Sequence, residues 1–261
     1  MFTFKPAVQK KSKHPLILIH GALFNGEAWR GNFLDFFAEL GYDTYAIHLS
    51  GHRDNESKLF LNLYGLDQYT EDVIKLITSF DEKPILIGHS MGGLVTQLVG
   101  QKISLQAAVL LAAVPPFGVF RSMSEFFLTA PLSWSKFAVS AIFPIGKYFD
   151  TEPPEGIYTT MPSLEVRQHV SKNMQGESIR ALLEMIWRDF EIDASKAHFP
   201  MAHIGFRDDK IIFPEDVEKT AEFYGQKAKI FENRAHAFMF EPNWKEVGDY
   251  IKEWLDENNE A

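Results

Sequence analysis

Ser90 is the residue in this chain best placed to do chemistry. The run Gly88-His89-Ser90-Met91-Gly92-Gly93 sets its hydroxyl at the centre of a G-x-S-x-G pentapeptide. Pro84 to Ile87 before it form a short apolar run, and Leu94, Val95, Leu98 and Val99 after it repeat at helical spacing. At a strand-to-helix junction the small residues at 88 and 92 allow a sharp turn that exposes the serine hydroxyl beside a helix N-terminus, where the Met91 amide is a candidate donor to a developing oxyanion. A serine hydroxyl needs a base, and a histidine base needs a carboxylate to fix its tautomer. Nine histidines are available. His14, His169 and His198 stand in no motif, His20 opens a His-Gly loop, His89 lies inside the turn, and His236 lies just beyond the apolar run Lys229 to Phe231. The adjacent pair Asp208-Asp209 follows the end of another run near Gly205, and either carboxylate is chemically able to serve.

Other chemistries find less support. With no cysteine there is no thiol nucleophile, zinc-cysteine site or disulfide. His48 and His52 are four apart, but Ser50 and Gly51 between them suggest a loop and no H-E-x-x-H occurs, so no metal is expected. The glycine spacing is not G-x-G-x-x-G, and no G-x-x-x-x-G-K-[ST] is present, so no nucleotide or other cofactor is expected either.

The elements that must hold these groups follow from the hydrophobic pattern. Apolar runs at Leu16 to Ile19, Thr44 to Leu49, Pro84 to Ile87, Ala107 to Val114, Met201 to Gly205 and Lys229 to Phe231 alternate with segments of helical period. Such segments carry Val73, Ile77 and Phe80; Val217, Ala221 and Tyr224; and Trp244, Val247, Ile251 and Trp254. This alternation predicts an α/β fold, a mostly parallel sheet flanked by helices, with a short antiparallel edge before Pro15. It stops at Pro115-Pro116 and resumes near Pro200. The Phe-rich stretch between them has Ile179, Leu182, Leu183, Ile186, Trp187 and Phe190 at helical spacing. We therefore divide the chain into core at 1–116, a helical cap at 117–198 and core again at 199–261.

Four segments, HGALFNGEAW (20–29), GHSMGG (88–93), IGFRDDKIIFPE (204–215) and NRAHAFMFEP (233–242), resemble the α/β-hydrolase superfamily in type and order. The resemblance covers nearly the whole chain, and is strongest to small serine esterases with a helical cap inserted after the strand that follows the nucleophile helix. It implies Ser90 as nucleophile, His236 as base and Asp209 as acid, with Asp208 as the alternative. It also implies that the residue after His-Gly, Ala22 in preference to Leu23, joins Met91 in the oxyanion hole.

The Phe-rich cap leads us to expect a small to medium apolar ester as substrate, bound by Leu23, Leu183 and Trp187, because little in the cap would pair a buried charge. Thioesters and lactones suit the same triad. A lipase with Phe126 to Ile145 as lid is an alternative. Hydroxynitrile lyases related to the superfamily usually carry a lysine after the histidine and a threonine after His-Gly, where this chain has Ala237 and Ala22. A silent ligand receptor on the same scaffold is a minor alternative, and aspartate-nucleophile hydrolases are disfavoured by Ser90. The 261 residues are 46% hydrophobic and carry a net charge of −9, a balance that fits a soluble domain and repels nucleic acid. No signal-like or membrane-length apolar stretch is present, so a cytoplasmic location without stable membrane insertion is expected. The sequence carries no signature of oligomeric state.

Overall fold

The computed structural model describes residues 2–53, 56–142 and 156–258. Seven strands, β1 (Phe2–Lys5), β2 (Leu16–Ile19), β3 (Thr44–Ile47), β4 (Ile85–His89), β5 (Ala107–Leu111), β6 (Met201–Phe206) and β7 (Ala228–Phe231), form one sheet in the order β1-β3-β2-β4-β5-β6-β7. Only β1 runs antiparallel, pairing Phe2 with Ile47 and Lys5 with Thr44. Every residue of β2, β4, β5 and β6 is buried, which is why these segments read as continuous apolar runs without alternation. The exposed edge strand β1 is anchored by Phe4 stacking on Tyr45, ring centroids 4.6 Å apart.

The helices are α1 (Phe33–Leu40), α2 (Leu66–Ile77), α3 (Met91–Gly100), α4 (Phe120–Thr129), α5 (Pro131–Ile142), α6 (Leu164–Asn173), α7 (Ile179–Trp187), α8 (Pro214–Phe223) and α9 (Lys245–Asn258). All ten residues of α3 are buried, consistent with its lack of a polar face. α1 meets the start of α9 through Phe33 and Phe36 against Trp244. Helices α4 to α7 follow β5 and precede β6, within the stretch read as an insertion. In α4, Phe126 is fully buried beside Phe137, whereas Phe117, Phe120 and Phe127 stay about half exposed. Phe143, Phe149 and the end of the suggested lid at Ile145 lie outside the described residues.

The inward face of α7 is not the one expected. Ala181 and Met185 are buried, whereas Leu183 and Trp187 are 51% and 67% exposed. These two border an open groove with Asn62, Ile179, Arg180, Glu184 and Arg188, and Trp187 rests on the Phe120 ring at 4.7 Å. Leu183 and Trp187, expected to bind substrate, thus face outward and line this groove. The cause lies in polar anchors, because α7 has apolar residues on more than one side and periodicity alone cannot choose between them. The Ser178 hydroxyl donates to the Tyr64 carbonyl at 2.6 Å, the Glu184 carboxylate accepts the Leu66 amide at 2.7 Å, and the Met185 carbonyl accepts the Val119 amide at 2.9 Å. These contacts set the rotation of the helix.

Truncation should separate the two kinds of aromatic residue in urea titrations. Phe126→Ala should cost about 3–5 kcal/mol by leaving a cavity. Trp187→Ala should cost about 1 kcal/mol or less, the value of an exposed ring pair. Equal losses would contradict the burial described here.

Candidate active site

The chain leaves β2 for β3 on one side and β4 for β5 on the other, so the loops after the adjacent strands β2 and β4 separate around a crevice at the strands' carboxyl ends. Register sets Ile19 beside Gly88 and brings the His20-Gly21 loop against the Ser90 turn. Ser90 has φ 53° and ψ −119°, a conformation costing about 1–3 kcal/mol for a residue with a side chain. The surroundings enforce it. The Ser90 amide donates to the Leu111 carbonyl at 2.9 Å, and the Ser90 carbonyl accepts the amides of Gly93 and Val114, each at 3.0 Å. A Cβ on Gly88 would lie 2.3 Å from the Gly92 carbonyl oxygen, and one on Gly92 2.4 Å from that of Ile19. Glycine is needed at both positions because backbone passes directly over backbone.

His236, beyond β7, lies with Nε2 3.1 Å from Ser90 Oγ and Nδ1 2.7 Å from Asp209 Oδ2. A carboxylate only accepts, so Nδ1 carries the hydrogen and Nε2 offers its lone pair to the serine hydroxyl. Asp209, on the loop after β6, is 1% exposed, and its Oδ1 accepts the amides of Ile211 and Ile212 at 2.7 and 3.0 Å. Asp208 is half-buried and accepts instead from the Thr159 hydroxyl at 3.3 Å. The carboxylate beside the imidazole is therefore that of Asp209. His89 donates from Nε2 to the His236 carbonyl at 2.9 Å. Burial, and then the neighbouring His236, push the His89 imidazole well below its ordinary value and keep it neutral.

The amide of Met91 opens α3, and that of Ala22 lies in the loop after β2. Among the described residues neither has a protein acceptor. His20 holds this loop from below: its Nδ1 donates to the Gly21 carbonyl at 2.9 Å, while Nε2 accepts the Leu49 amide at 3.3 Å. The Gly21 carbonyl and the Ala22 amide belong to one trans peptide, so fixing one aims the other in the opposite direction. Burial, followed by the charge of His52, lowers the His20 imidazole well below its usual value. Leu23 is buried at φ 71°, and its carbonyl accepts the Gln175 amide at 2.8 Å.

Glu177 escaped the sequence reading. It lies in no motif, and its only signal was an acidic residue within a largely apolar insertion. It is fully buried against His52, Nε2 to Oε2 3.0 Å. Burial alone would raise its carboxyl, but the charge and hydrogen bond of His52, with those from the Ser178 amide and Tyr69 hydroxyl, hold it below the ordinary carboxylate range. The expectation that the insertion has little to do with buried charge is corrected here. His48 points elsewhere, to Thr3 at 3.0 Å and towards Glu27. Among the described residues no group of three or more histidine, aspartate or glutamate side chains is arranged to hold a metal ion.

Comparison with known proteins agrees with this architecture. The profile of the Alpha/beta hydrolase family matches residues 16–249, and the chain belongs to that family. It is 25% identical over 252 residues to non-heme chloroperoxidase CPO-A1 of Kitasatospora aureofaciens, covering 89% of this chain and 88% of that protein. Salicylic acid-binding protein 2 of Nicotiana tabacum is 34% identical over 117 residues, 43% of this chain and 44% of its own length. Among solved structures, MenH from S. aureus superposes with a TM-score of 0.73 at 17% identity over 99% of both chains. A thermophilic esterase from Thermogutta terrifontis gives 0.69 at 17% identity, over 99% of this chain and 94% of that one. These structural likenesses define an α/β-hydrolase fold.

Comparing Asp208→Asn with Asp209→Asn tests which carboxylate supports His236. Asp209→Asn should lower kcat by up to ~10⁴, as loss of the imidazole's carboxylate does elsewhere. Asp208→Asn should change it less than about threefold, as expected of a half-exposed side chain off the imidazole. The reverse order in steady-state ester hydrolysis would move the acid by one residue.

Proposed function

We propose that this protein is a serine hydrolase that cleaves carboxylic esters of small to medium apolar substrates through an acyl-enzyme. The observation that carries the reading is the hydrogen-bonded line Ser90–His236–Asp209, which runs from hydroxyl to buried carboxylate at 3.1 and 2.7 Å. Ser90 Oγ attacks the ester carbonyl carbon as its proton passes to His236 Nε2. The amides of Met91 and Ala22 hold the resulting oxyanion, and Asp209 stabilises the imidazolium. Collapse of the tetrahedral intermediate breaks the bond to the alkoxide, which takes the proton from His236. Water then repeats the sequence in reverse roles: His236 removes its proton, the acyl carbon gains the hydroxyl, and Ser90 recovers its hydrogen as the carboxylic acid departs.

An apolar substrate is favoured because the buried carboxylate described in the cap, Glu177, is already committed to His52. A substrate in solution is favoured over one at a lipid interface by how firmly the 117–198 segment is fastened. Ser122 and Arg121 of α4 both bond Asp216 of α8, and Ser178 and Glu184 bond the backbone at Tyr64 and Leu66. Among the described residues no helix is long and apolar enough to cross a membrane.

Ser90→Ala should lower kcat for p-nitrophenyl esters by roughly 10⁴ or more while leaving the melting transition in place. A fluorophosphonate should label Ser90 alone, read by peptide mass spectrometry. Rates on a panel of increasing acyl length should fall off beyond medium chains and show no jump when the ester passes into micelles. Retained activity in Ser90→Ala would refute the mechanism, and a jump at the micelle threshold would favour the lipase reading.

A further inference from the structure

The His52–Glu177 pair lies outside the line of reacting groups, yet both of its ends lead to the oxyanion loop. Glu177 Oε2 faces His52 Nε2 at 3.0 Å, and Oε1 accepts from the Tyr69 hydroxyl and the Ser178 amide, each at 2.8 Å. The second ring nitrogen of His52 faces the Ser50 carbonyl at 3.2 Å. Carboxylate and carbonyl oxygens only accept, so each nitrogen of His52 faces an acceptor. Neither side chain touches solvent. Breaking such a pair strands a buried charge, so the segment bearing Glu177 is held firmly to the loop bearing His52.

From this clamp two short paths reach Ala22. On one side, Gln175, two residues before Glu177, donates its amide to the Leu23 carbonyl at 2.8 Å and accepts from Lys58 Nζ through its side chain at 2.5 Å. Leu23 follows Ala22 directly and holds φ 71°, a conformation that leucine keeps only when its surroundings fix it. On the other side, the His52 ring lies 5.2 Å from that of His20, which holds the carbonyl of the Gly21–Ala22 peptide. We infer that Glu177 is a positioning residue for the oxyanion hole: paired with His52, it seats residues 175–178 so that Gln175 fixes Leu23 and the Ala22 amide stays aimed at the tetrahedral oxygen. The inference rests on the hydrolase function proposed above. Glu177 itself meets no reacting atom.

An oxyanion donor helps only where charge develops, so misaligning it lowers kcat and spares ground-state binding. A residue of purely structural importance would lower the melting temperature or the fraction of active molecules, but not the turnover of each active site. The test compares wild type with Glu177→Gln in p-nitrophenyl acetate hydrolysis, with active sites counted by fluorophosphonate titration. A second readout is inhibition by an alkyl trifluoromethyl ketone, whose serine adduct places a negative oxygen in the hole. In Glu177→Gln, kcat per titrated site should fall about 10–100-fold with KM within about threefold, since one oxyanion donor is weakened but not removed. The inhibitor's Ki should rise in step with the loss in kcat/KM.

Unchanged kcat and Ki in folded Glu177→Gln would overturn the inference, whatever its melting temperature. If that variant does not fold, Tyr69→Phe carries the test, because it removes one hydrogen bond from the carboxylate and leaves the ion pair. Its kcat per site should fall about 3–10-fold, the worth of one hydrogen bond, and an unchanged value overturns the inference. A wild-type protein without Ser90-dependent hydrolysis would overturn the proposed function and this inference with it. An active wild type with an unaltered Glu177→Gln overturns the inference alone.

Discussion

The structure depends on how closely backbone passes over backbone at the two glycines flanking Ser90. The carbonyl oxygens of Ile19 and Gly92 occupy the space that a Cβ at Gly92 or Gly88 would need, so β2, β4 and α3 meet more tightly than side chains allow. Because the approach is that close, Ser90 is forced into its positive-φ turn and its hydroxyl emerges where the loops after β6 and β7 can reach it. The strain at one residue is offset by three backbone hydrogen bonds, two of which also join β5 and the residues just after it to the turn. Sheet and site are thus one construction: whatever loosens the centre of the sheet also loosens the serine.

Much of this was legible in the sequence because the determining signals are local or strongly periodic. The buried strands announced themselves as uninterrupted apolar runs, and their observed limits differ by a few residues where a run continues into a loop, as at Ala112 to Val114 after β5. The order of the serine, acidic and histidine segments followed from motifs. What periodicity could not decide was rotation and pairing. On α7, apolar residues lie on more than one side, and the anchors at Ser178 and Glu184 select the buried face. The pairing of Glu177 with His52 spans 125 residues, and nothing near either residue indicates the other. His52 attracted attention only as the neighbour of His48, a spacing that the fold gives to two different partners.

The segment between β5 and β6 joins the core through apolar residues such as Val119, Phe126, Ala181 and Met185, and also through buried polar contacts. Asp216 receives Ser122 and Arg121, and His52 with Tyr69 receives Glu177. Apolar packing tolerates sliding, whereas a buried carboxylate that faces His52 and accepts from Tyr69 and Ser178 has essentially one geometry. Such contacts contribute little net stability compared with well-packed apolar groups of the same volume. In this molecule they fix where one layer sits on the other.

The separation of Ser90 from His236 along the chain has a consequence during synthesis. The two residues are 146 positions apart, an interval of roughly 7–30 s at ordinary rates of translation. Through most of that interval the emerging chain holds a serine that has neither its imidazole nor the Asp209 carboxylate, which precedes His236 by 27 residues. The imidazole that faces it arrives with the loop after β7, the last strand of the sheet. Until then the hydroxyl is an ordinary alcohol, without the hydrogen-bonded line to a buried carboxylate that the folded chain gives it. On the function proposed above, reactivity is acquired only once the loop carrying His236 has folded against the serine turn.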